Sequence, residues 1–246
     1  MNERQDIHSA GIPVLCKSCE ARHRGICGVL DSAELVALAK QTSRRIIEPG
    51  TKLMSDGIEV TTYSNLLSGV VKLTKILADG RQQIVGLQFA PDFIGRPFKR
   101  ENQLDAEAAT TVSVCSFPKS VFERVIKSSP PVEHRLHQQA LKELDEARNW
   151  MLTLGRKTAA EKVASFLYYV ACHIDPERPH LKGPVEFELP LTRAEIGDFL
   201  GLTIETVSRQ FTKLRKSGVI VIEHNRNIKV HSLDQIRRHA KLDSED

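Results

Sequence analysis

The chain has 246 residues and a formal net charge of +4, enough for one large or two ordinary domains. A basic and then apolar signal sequence is missing, and no apolar run approaches the ~20 residues that span a bilayer, which excludes a membrane protein and favours the cytoplasm. The charge is uneven, because nine Lys and Arg residues stand against three acidic residues from Thr203 to Lys241. This stretch is the part expected to meet a polyanion such as DNA.

Three of the five cysteines lie close together near the start of the chain, in the pattern C-x2-C-x7-C. They are Cys16, Cys19 and Cys27, and Cys115 follows much later on a predicted strand. Disulfides are not expected in a reducing compartment, so four thiolates that a fold can bring together suggest a metal or cluster site. The pattern alone leaves an iron–sulfur cluster and a structural zinc ion as alternatives. Cys172 lies in an apolar helical run and is interpreted as core filler.

The region after the cysteines is predicted to begin with a helix and to continue as β structure. Asp31 to Glu34 has the pattern of a capping box, which opens a helix to about Gln41. Six short segments of strand character are separated by turns, most of them glycine turns, which is typical of a small antiparallel roll or barrel. The predicted strands are Arg45–Glu48, Lys52–Met54, Thr62–Leu67, Val70–Leu77, Gln83–Phe89 and Thr111–Phe117.

A different pattern begins after Ser129 and two prolines. Apolar residues recur at spacings of four, three, four and three residues, the rhythm of a coiled-coil seam. A helix from about Val132 to Gly155 would be ~36 Å long, more than the flank of one small roll requires. The pattern therefore favours a helix that pairs with a second copy over one that packs only on its own roll. The predicted dimerisation seam consists of Ala140, Leu144, Ala147, Met151 and Leu154.

The last part of the chain has the pattern of a winged helix-turn-helix. After a proline-rich loop at 174–190 that includes a short strand, two capped helices are joined through a glycine turn. Two strand-like segments with a polar turn between them then predict a two-stranded wing. The predicted elements are the strand Val185–Leu189, the helices Thr192–Leu200 and Thr203–Ser217, and the wing strands Val219–Glu223 and Ile228–Val230.

The second of these helices carries the side chains expected at DNA. Glu205, Ser208 and Arg209 share one face near its N-terminal end, the part that a recognition helix inserts into a major groove. Arg209 is suited to guanine and Glu205 to cytosine, whereas lysines further along would contact phosphates. The alternative is a solvated helix with an internal Glu205–Arg209 ion pair, which explains neither the turn nor the wing. The predicted DNA-binding residues are Thr203, Glu205, Ser208, Arg209, Lys213 and Lys216.

The order of these parts resembles the CRP/FNR superfamily of bacterial transcription regulators over nearly the whole chain. The stretch from Leu191 to Arg209, with its E-x-x-S-R core, is similar to the DNA-reading motif of FNR-type members. Together with the four cysteines, it points to the oxygen-responsive FnrN/FnrL-like type. The resemblance implies a [4Fe-4S] cluster on those four thiolates, dimerisation through the long helix, and two-fold symmetric DNA sites with TTGAT-like half-sites. Loss of the cluster to oxygen would inactivate the regulator.

The resemblance also bears on effectors and partners. Phe93–Pro97 and Asp105–Ala108 depart from cyclic-nucleotide binders where the ribose and phosphate would be held, so a cyclic nucleotide is not expected. The turn Asp79-Gly80-Arg81 resembles the family's activating turn and is predicted to contact RNA polymerase. Three alternatives remain: a related regulator with structural zinc, a regulator with a small-molecule effector in the roll, and an iron–sulfur enzyme or electron carrier. The third lacks the cluster motifs and acid–base groups of such enzymes.

The sequence thus predicts an α+β protein without enzymatic activity. Its expected partners are double-stranded DNA, RNA polymerase and a second copy of the chain. Its predicted parts are a cysteine-rich segment at 1–30, an antiparallel β-roll sensor domain at 31–129, a dimerisation helix at 130–157 and a winged helix-turn-helix domain at 158–246.

Overall fold

A computed structural model describes residues 12, 14–17, 19–175 and 183–242. Parts of the predicted cysteine-rich segment and of the predicted loop at 174–190 lie outside these described residues. The chain divides into two compact units, one of Met1–Val71 with Gln88–Leu144 and one of Lys72–Leu87 with Asp145–Asp246. None of the helices in the described part of the chain combines the length and the hydropathy needed to cross a membrane.

Short helices form the described part of the cysteine-rich segment. They are α1 (Val14–Lys17), α2 (Glu20–Arg24) and the 3-10 helix η1 (Ile26–Val29), and α3 (Ser32–Ala39) follows. The predicted capping box opens α3, because Asp31 Oδ1 accepts from Glu34 N at 2.8 Å and Glu34 Oε2 accepts from Asp31 N at 3.0 Å.

Eight strands form the predicted roll, in two sheets with the orders β1-β8-β3-β6 and β2-β7-β4-β5. All six predicted strands are present, with ends that differ by at most two residues. The strands β6 and β7 were not predicted, because the first has only two residues and the second, Asp-Ala-Glu-Ala, has poor intrinsic strand propensity. The strands are β1 (Ser43–Ile47), β2 (Lys52–Met54), β3 (Thr62–Ser68), β4 (Val70–Ile76), β5 (Gln82–Phe89), β6 (Phe93–Ile94), β7 (Asp105–Ala108) and β8 (Val112–Pro118).

Two helices follow β8, and the first of them was not predicted. This helix, α4 (Lys119–Ser128), begins directly after Pro118, which provides no side-chain cap and therefore no start signal in the sequence. The second, α5 (Pro130–Arg156), is the predicted long helix and has 27 residues. The predicted helix from Val132 to Gly155 is confirmed, with one or two more residues at each end.

An aromatic core holds the first unit together. Phe122 of α4 is fully buried, and its ring centroid lies 4.7 Å from that of Phe117 and 5.2 Å from that of Phe93. The same core contains Ile26, Leu38, Val60, Tyr63, Val121, Ile126 and Val132. Residues of η1, of the roll and of the start of α5 are therefore packed in one cluster.

The second unit contains the predicted helix-turn-helix. The wing differs from the prediction, because its sheet has three strands in the order β10-β11-β9. The side chains of β9 alternate between buried and exposed, and the strand pairs with β11 so that Phe187 lies opposite Ile228. This pairing gives the hairpin the third strand that stable sheets need. Cys172 of α6 is half-buried, so it fills the core only in part. The elements are α6 (Ala159–His173), β9 (Val185–Glu188), α7 (Arg193–Leu200), α8 (Ile204–Lys216), β10 (Ile220–Glu223), β11 (Asn227–Val230) and α9 (Leu233–His239).

Candidate functional site

The four predicted ligand cysteines belong to separate parts of the first unit. Cys16 lies in α1, Cys19 between α1 and α2, Cys27 in η1 and Cys115 in β8. The backbone N–H of Cys19 donates to the Cys16 carbonyl at 3.4 Å, so a turn joins these two residues as predicted. All four thiols are partly exposed and none forms a disulfide.

The pKa values of Cys16, Cys27 and Cys115 show that the cysteine side chains influence one another. Burial, followed by the charges of Cys115, Cys19 and Cys16, raises the pKa of Cys27 to about 12. Burial and then Cys19 also raise the pKa of Cys16, while Arg22 and, more weakly, Arg44 lower it. Partly buried thiols that oppose each other's ionisation are suited to a group that brings positive charge to them. The donor set therefore fits a thiolate-bound metal group.

The thiols nevertheless do not converge on a single point. Among the described residues, no group of three or more His, Cys, Asp or Glu side chains is placed to hold one metal ion. A structural zinc ion requires its sulfurs at ~2.3 Å from the same centre. In a [4Fe-4S] cluster the four cysteines bind different iron atoms, so they need not meet at one point.

Two polar side chains outside the predicted site, Asn65 and Thr42, lie against these cysteines. The Asn65 amide Nδ2 donates to Cys27 Sγ at 3.2 Å, and Asn65 is also the cross-strand partner of Cys115 in the β3–β8 ladder. Burial raises the pKa of Cys115, whereas a hydrogen bond with Thr42 lowers it. No local pattern marks either residue, because both contacts depend on residues that are distant in sequence.

The helix that carries Cys27 is packed into the core of the first unit. Ile26 is 1% exposed and belongs to the aromatic core, together with Val132 of α5. Cys27 and Leu136 of α5 both pack against the same core. The position of η1 and the position of the first turns of α5 are therefore linked through shared packing.

The predicted seam lies on the exposed side of α5. Leu144 is 44% exposed and Met151 is 72% exposed, although both are apolar. Leu141 and Leu152, which were not predicted, are 61% and 60% exposed and widen the apolar strip. The remaining seam residues, exposed or half-buried, are Ala140, Ala147 and Leu154. Within the described residues, this side of α5 is left uncovered by the chain itself.

A tight turn that depends on two glycines joins α7 and α8. Gly201 ends α7 with a φ of 62°, in the left-handed region that favours glycine. A Cβ atom on Gly197 would lie 2.6 Å from the Leu202 carbonyl oxygen, so the close approach of the turn to α7 requires glycine there. Thr203 caps α8 as predicted, because its Oγ1 accepts from Thr206 N at 3.3 Å. The predicted helix-turn-helix is confirmed.

The predicted DNA-binding side chains all lie on the exposed side of α8. Arg209 donates from Nη2 to Thr206 Oγ1 at 3.3 Å and is otherwise directed to the exposed surface of the helix. Hydrogen bonds from its own backbone N–H and from Thr203 lower the pKa of Glu205, so this carboxylate is charged at the N-terminal end of α8. The exposed set is Thr203, Glu205, Ser208, Arg209, Lys213 and Lys216, and the buried set is Val207, Gln210, Phe211 and Leu214.

Arg193, which was not among the predicted site residues, connects α7, α8 and the wing turn. Its guanidinium lies 3.6 Å from the centroid of the Phe211 ring, and its Nη2 donates to the Asn225 carbonyl at 3.4 Å. Burial lowers its pKa to about 10, at which it is still a cation at neutral pH. Asn225 and its neighbour His224 form the wing turn with φ values of 61° and 49°.

Polar side chains of β4 and β5 contact α7 within the second unit. Lys72 and Glu195 form an ion pair of 2.5 Å in which the Lys72 side chain is 11% exposed. Gln82 Nε2 donates to Asp198 Oδ2 at 2.7 Å. More than 100 residues separate the partners in each pair, so the sequence alone could not indicate these contacts.

The turn predicted to contact polymerase is exposed and is organised by its own side chains. Arg81 Nε donates to Asp79 Oδ2 at 2.9 Å, and Gly80 between them has a φ of 86°. The two charged side chains are 77% and 54% exposed. The turn is accessible, and its contact with polymerase stays a prediction.

Comparison with known proteins identifies both halves of the chain. A cyclic nucleotide-binding domain model matches residues 44–129, and a Crp-like helix-turn-helix domain model matches residues 161–239. A probable transcriptional activator of Rhizobium leguminosarum bv. viciae is 54% identical over 96% of this chain and 97% of that protein. The transcriptional activator protein FnrL of Cereibacter sphaeroides is 39% identical over 94% of this chain and 93% of FnrL. The solved structure of FixK2 from Bradyrhizobium japonicum is similar with a TM-score of 0.71 at 29% identity, covering 83% of this chain and 98% of FixK2.

Together with these relatives, the Crp-like helix-turn-helix defines a DNA-binding transcription regulator, which is not an enzyme. The chain belongs to the CRP/FNR family, and it is an FNR-type transcriptional activator. The predicted α+β fold, with a β-roll, a long helix and a C-terminal helix-turn-helix, is confirmed.

Proposed function

We propose that this regulator responds to oxygen through a [4Fe-4S] cluster bound by Cys16, Cys19, Cys27 and Cys115. It acts in the cytoplasm and, at low oxygen, binds palindromic TTGAT-like sites as a homodimer. The observation that carries the proposal is that burial and the charges of neighbouring cysteines raise the pKa values of Cys16, Cys27 and Cys115, none of which forms a disulfide. The similarity to FnrL supports the same assignment.

The resemblance to FNR-type regulators favours a cluster over the alternative of structural zinc. The charges of the thiols interact, which fits a donor set that shares one metal group. When bound, a [4Fe-4S] cluster supplies iron that reacts with oxygen. Cys16, Cys19 and Cys27 are the residues of the N-terminal segment that would hold it, and Cys115 is the residue of the roll.

The chain links Cys27 to the pairing helix through packing. Retention of Cys27 beside β3 also keeps Ile26 in the aromatic core, where Val132 and Leu136 of α5 are packed. Release of η1 from this position would leave a cavity beside the start of α5, which a packed core tolerates poorly. We therefore expect the order of the cysteine segment to control the order of the first turns of α5.

A second copy of α5 is the partner that fits its exposed apolar strip. Leu144 and Met151 would be covered if two such helices paired in parallel. A dimer presents two recognition helices to a two-fold symmetric site, whereas one chain contacts only a half-site. A loss of a few kcal/mol in dimerisation is then enough to empty the site.

The remaining parts of the proposal concern DNA, polymerase and the roll. Arg209 binds guanine in each half-site, Glu205 fixes a neighbouring base pair, and the Asp79–Arg81 turn contacts RNA polymerase. A cyclic nucleotide is not the effector. Where its phosphate would be held, the Asp105 carboxylate already accepts from Lys52 Nζ and from Asp56 N, both at 2.9 Å, and would repel an anion.

Purification without oxygen tests the central assignment. The protein should contain about four iron and four sulfide per chain and absorb visible light. On exposure to air it should lose the iron, the sulfide and the visible absorption. A colourless protein that contains zinc and binds its DNA equally well in air would establish the structural-zinc alternative instead.

A further inference from the structure

We propose that Asn65 is a positioning residue for the cluster, whose amide N–H holds the Cys27 sulfur beside β3 and slows the release of iron. The inference rests on the proposed function, because it assumes that Cys27 is a ligand. It assigns to a strand residue outside the cysteine motif a part in how long the cluster survives.

The geometry places this amide between two of the candidate ligands. Asn65 is 1% exposed in β3, and its Nδ2 lies 3.2 Å from Cys27 Sγ. The register of the β3–β8 ladder sets Asn65 directly opposite Cys115. The Asn65 side chain therefore donates to the sulfur of one candidate ligand, Cys27, and Asn65 is the cross-strand neighbour of a second, Cys115.

The burial of Asn65 is unfavourable for the fold alone. Its Oδ1 is buried without a hydrogen-bond partner, and its neighbours in the sequence, Ser64 and Leu66, belong to the same tightly packed strand. A buried amide costs free energy unless its polar atoms are paired, so an apolar residue of similar size would suit this position better. A neutral thiol is a weak acceptor for the amide N–H.

The same hydrogen bond becomes stronger when the sulfur is a thiolate. A charged acceptor roughly doubles the strength of a hydrogen bond, and a ligating cysteine is deprotonated. Hydrogen bonds to ligand sulfurs also set the reduction potential of iron–sulfur clusters. Residues that orient metal ligands in this way typically change metal affinity by about 10–100-fold when they are removed. Asn65 is therefore expected to favour the metal-bound state specifically.

The test compares two buried amides of the same roll. Asn65→Leu removes the donor to Cys27 and keeps the branched shape of the side chain. Gln88→Leu is the matched control, because Gln88 is 8% exposed, its Oε1 also lacks a partner, and its Nε2 donates to the Phe93 carbonyl at 3.1 Å instead of to a cysteine. The wild type and both variants are loaded with iron and sulfide without oxygen, and the release of iron to a chelator is then timed.

We expect N65L to release iron about 10-fold faster than the wild type, with shifted visible absorption and midpoint potential, while Q88L matches the wild type in all three. Without metal, N65L should be at least as resistant to heat as the wild type. If Asn65 served only to stabilise the fold, the metal-free variant would instead be less resistant to heat. Equal release by N65L and wild type would overturn the inference. A wild type that binds neither iron nor sulfide would overturn the proposed function instead. If N65L does not fold, Asn65→Ala, which adds no bulk, replaces it in the same measurement.

Discussion

The exposed strip of α5 leads to the prediction that Met151→Glu yields a folded protein that cannot pair. Met151 is 72% exposed in the single chain, so a carboxylate there remains solvated and costs the monomer little. Burial of a large apolar side chain contributes ~1.5–3 kcal/mol, so covering the exposed part of Met151 in both copies of a dimer contributes roughly 2–4 kcal/mol. The variant loses this contribution and also buries two unpaired carboxylates, each of which costs several kcal/mol.

Sedimentation without oxygen measures the outcome. The cluster-loaded wild type should sediment as a dimer, and M151E should sediment as a monomer that keeps its iron and visible absorption but no longer binds a palindromic site. Asn149→Glu is the control, because it adds the same charge to the same exposed turn of α5 but lies about 160° around the helix from Met151. A loaded M151E protein that remained a dimer would show that another surface mediates pairing.

Three further predictions concern the ligands, the DNA and the pH. Serine at any one of the four predicted ligand cysteines should abolish iron loading and anaerobic regulation, whereas Cys172→Ser should leave both nearly intact; full loading after a ligand substitution would remove that cysteine from the set. Arg209→Ala should cost ~1–3 kcal/mol of binding free energy per half-site and relax the preference for guanine. Lys216→Ala should instead weaken binding to all DNA sequences alike and lower the slope of log affinity against log salt by ~1 per subunit. Anaerobic binding titrations at several salt concentrations measure both effects. Burial alone would raise the pKa of Glu195, but hydrogen bonds from Lys72 and from the N-cap of α7 lower it. The contribution of Glu195 to stability is therefore present above the unfolded pKa of ~4.3, and it is lost as the pH falls through the lower folded pKa. The difference in unfolding free energy between wild type and Glu195→Gln should thus be constant from pH 6 to 8 and shrink below about pH 4; a difference independent of pH would refute this account.

Several features of the protein could be predicted from the sequence because their signals are local. The caps of α3 and α8 and the glycine that ends α7 lie within a few residues of the backbone groups they satisfy. The spacing of apolar residues along α5 likewise identifies a strip that the structure leaves exposed. Such signals involve neighbours in the sequence, so the fold class and the surface of the recognition helix could be predicted without coordinates.

Other elements form only because of their surroundings. The residues of β7 favour a strand poorly, yet Ala106 and Glu107 pair with β2 inside the roll. The helix α4 and the pairing of β9 with β11 were not predicted for the same reason, since pairing and burial decide them more than local preference.

The contacts that make the candidate site were decided by the tertiary structure alone. Asn65 is 38 residues from Cys27, and Lys72 is 123 residues from Glu195. The sequence indicated which cysteines could bind metal and which helix could contact DNA, because those roles depend on residue type and short spacing. The sequence could not indicate that the Asn65 amide lies against the Cys27 sulfur. That contact depends on the register of β3 with β8 and on the packing of η1, and both are determined by residues that are distant along the chain.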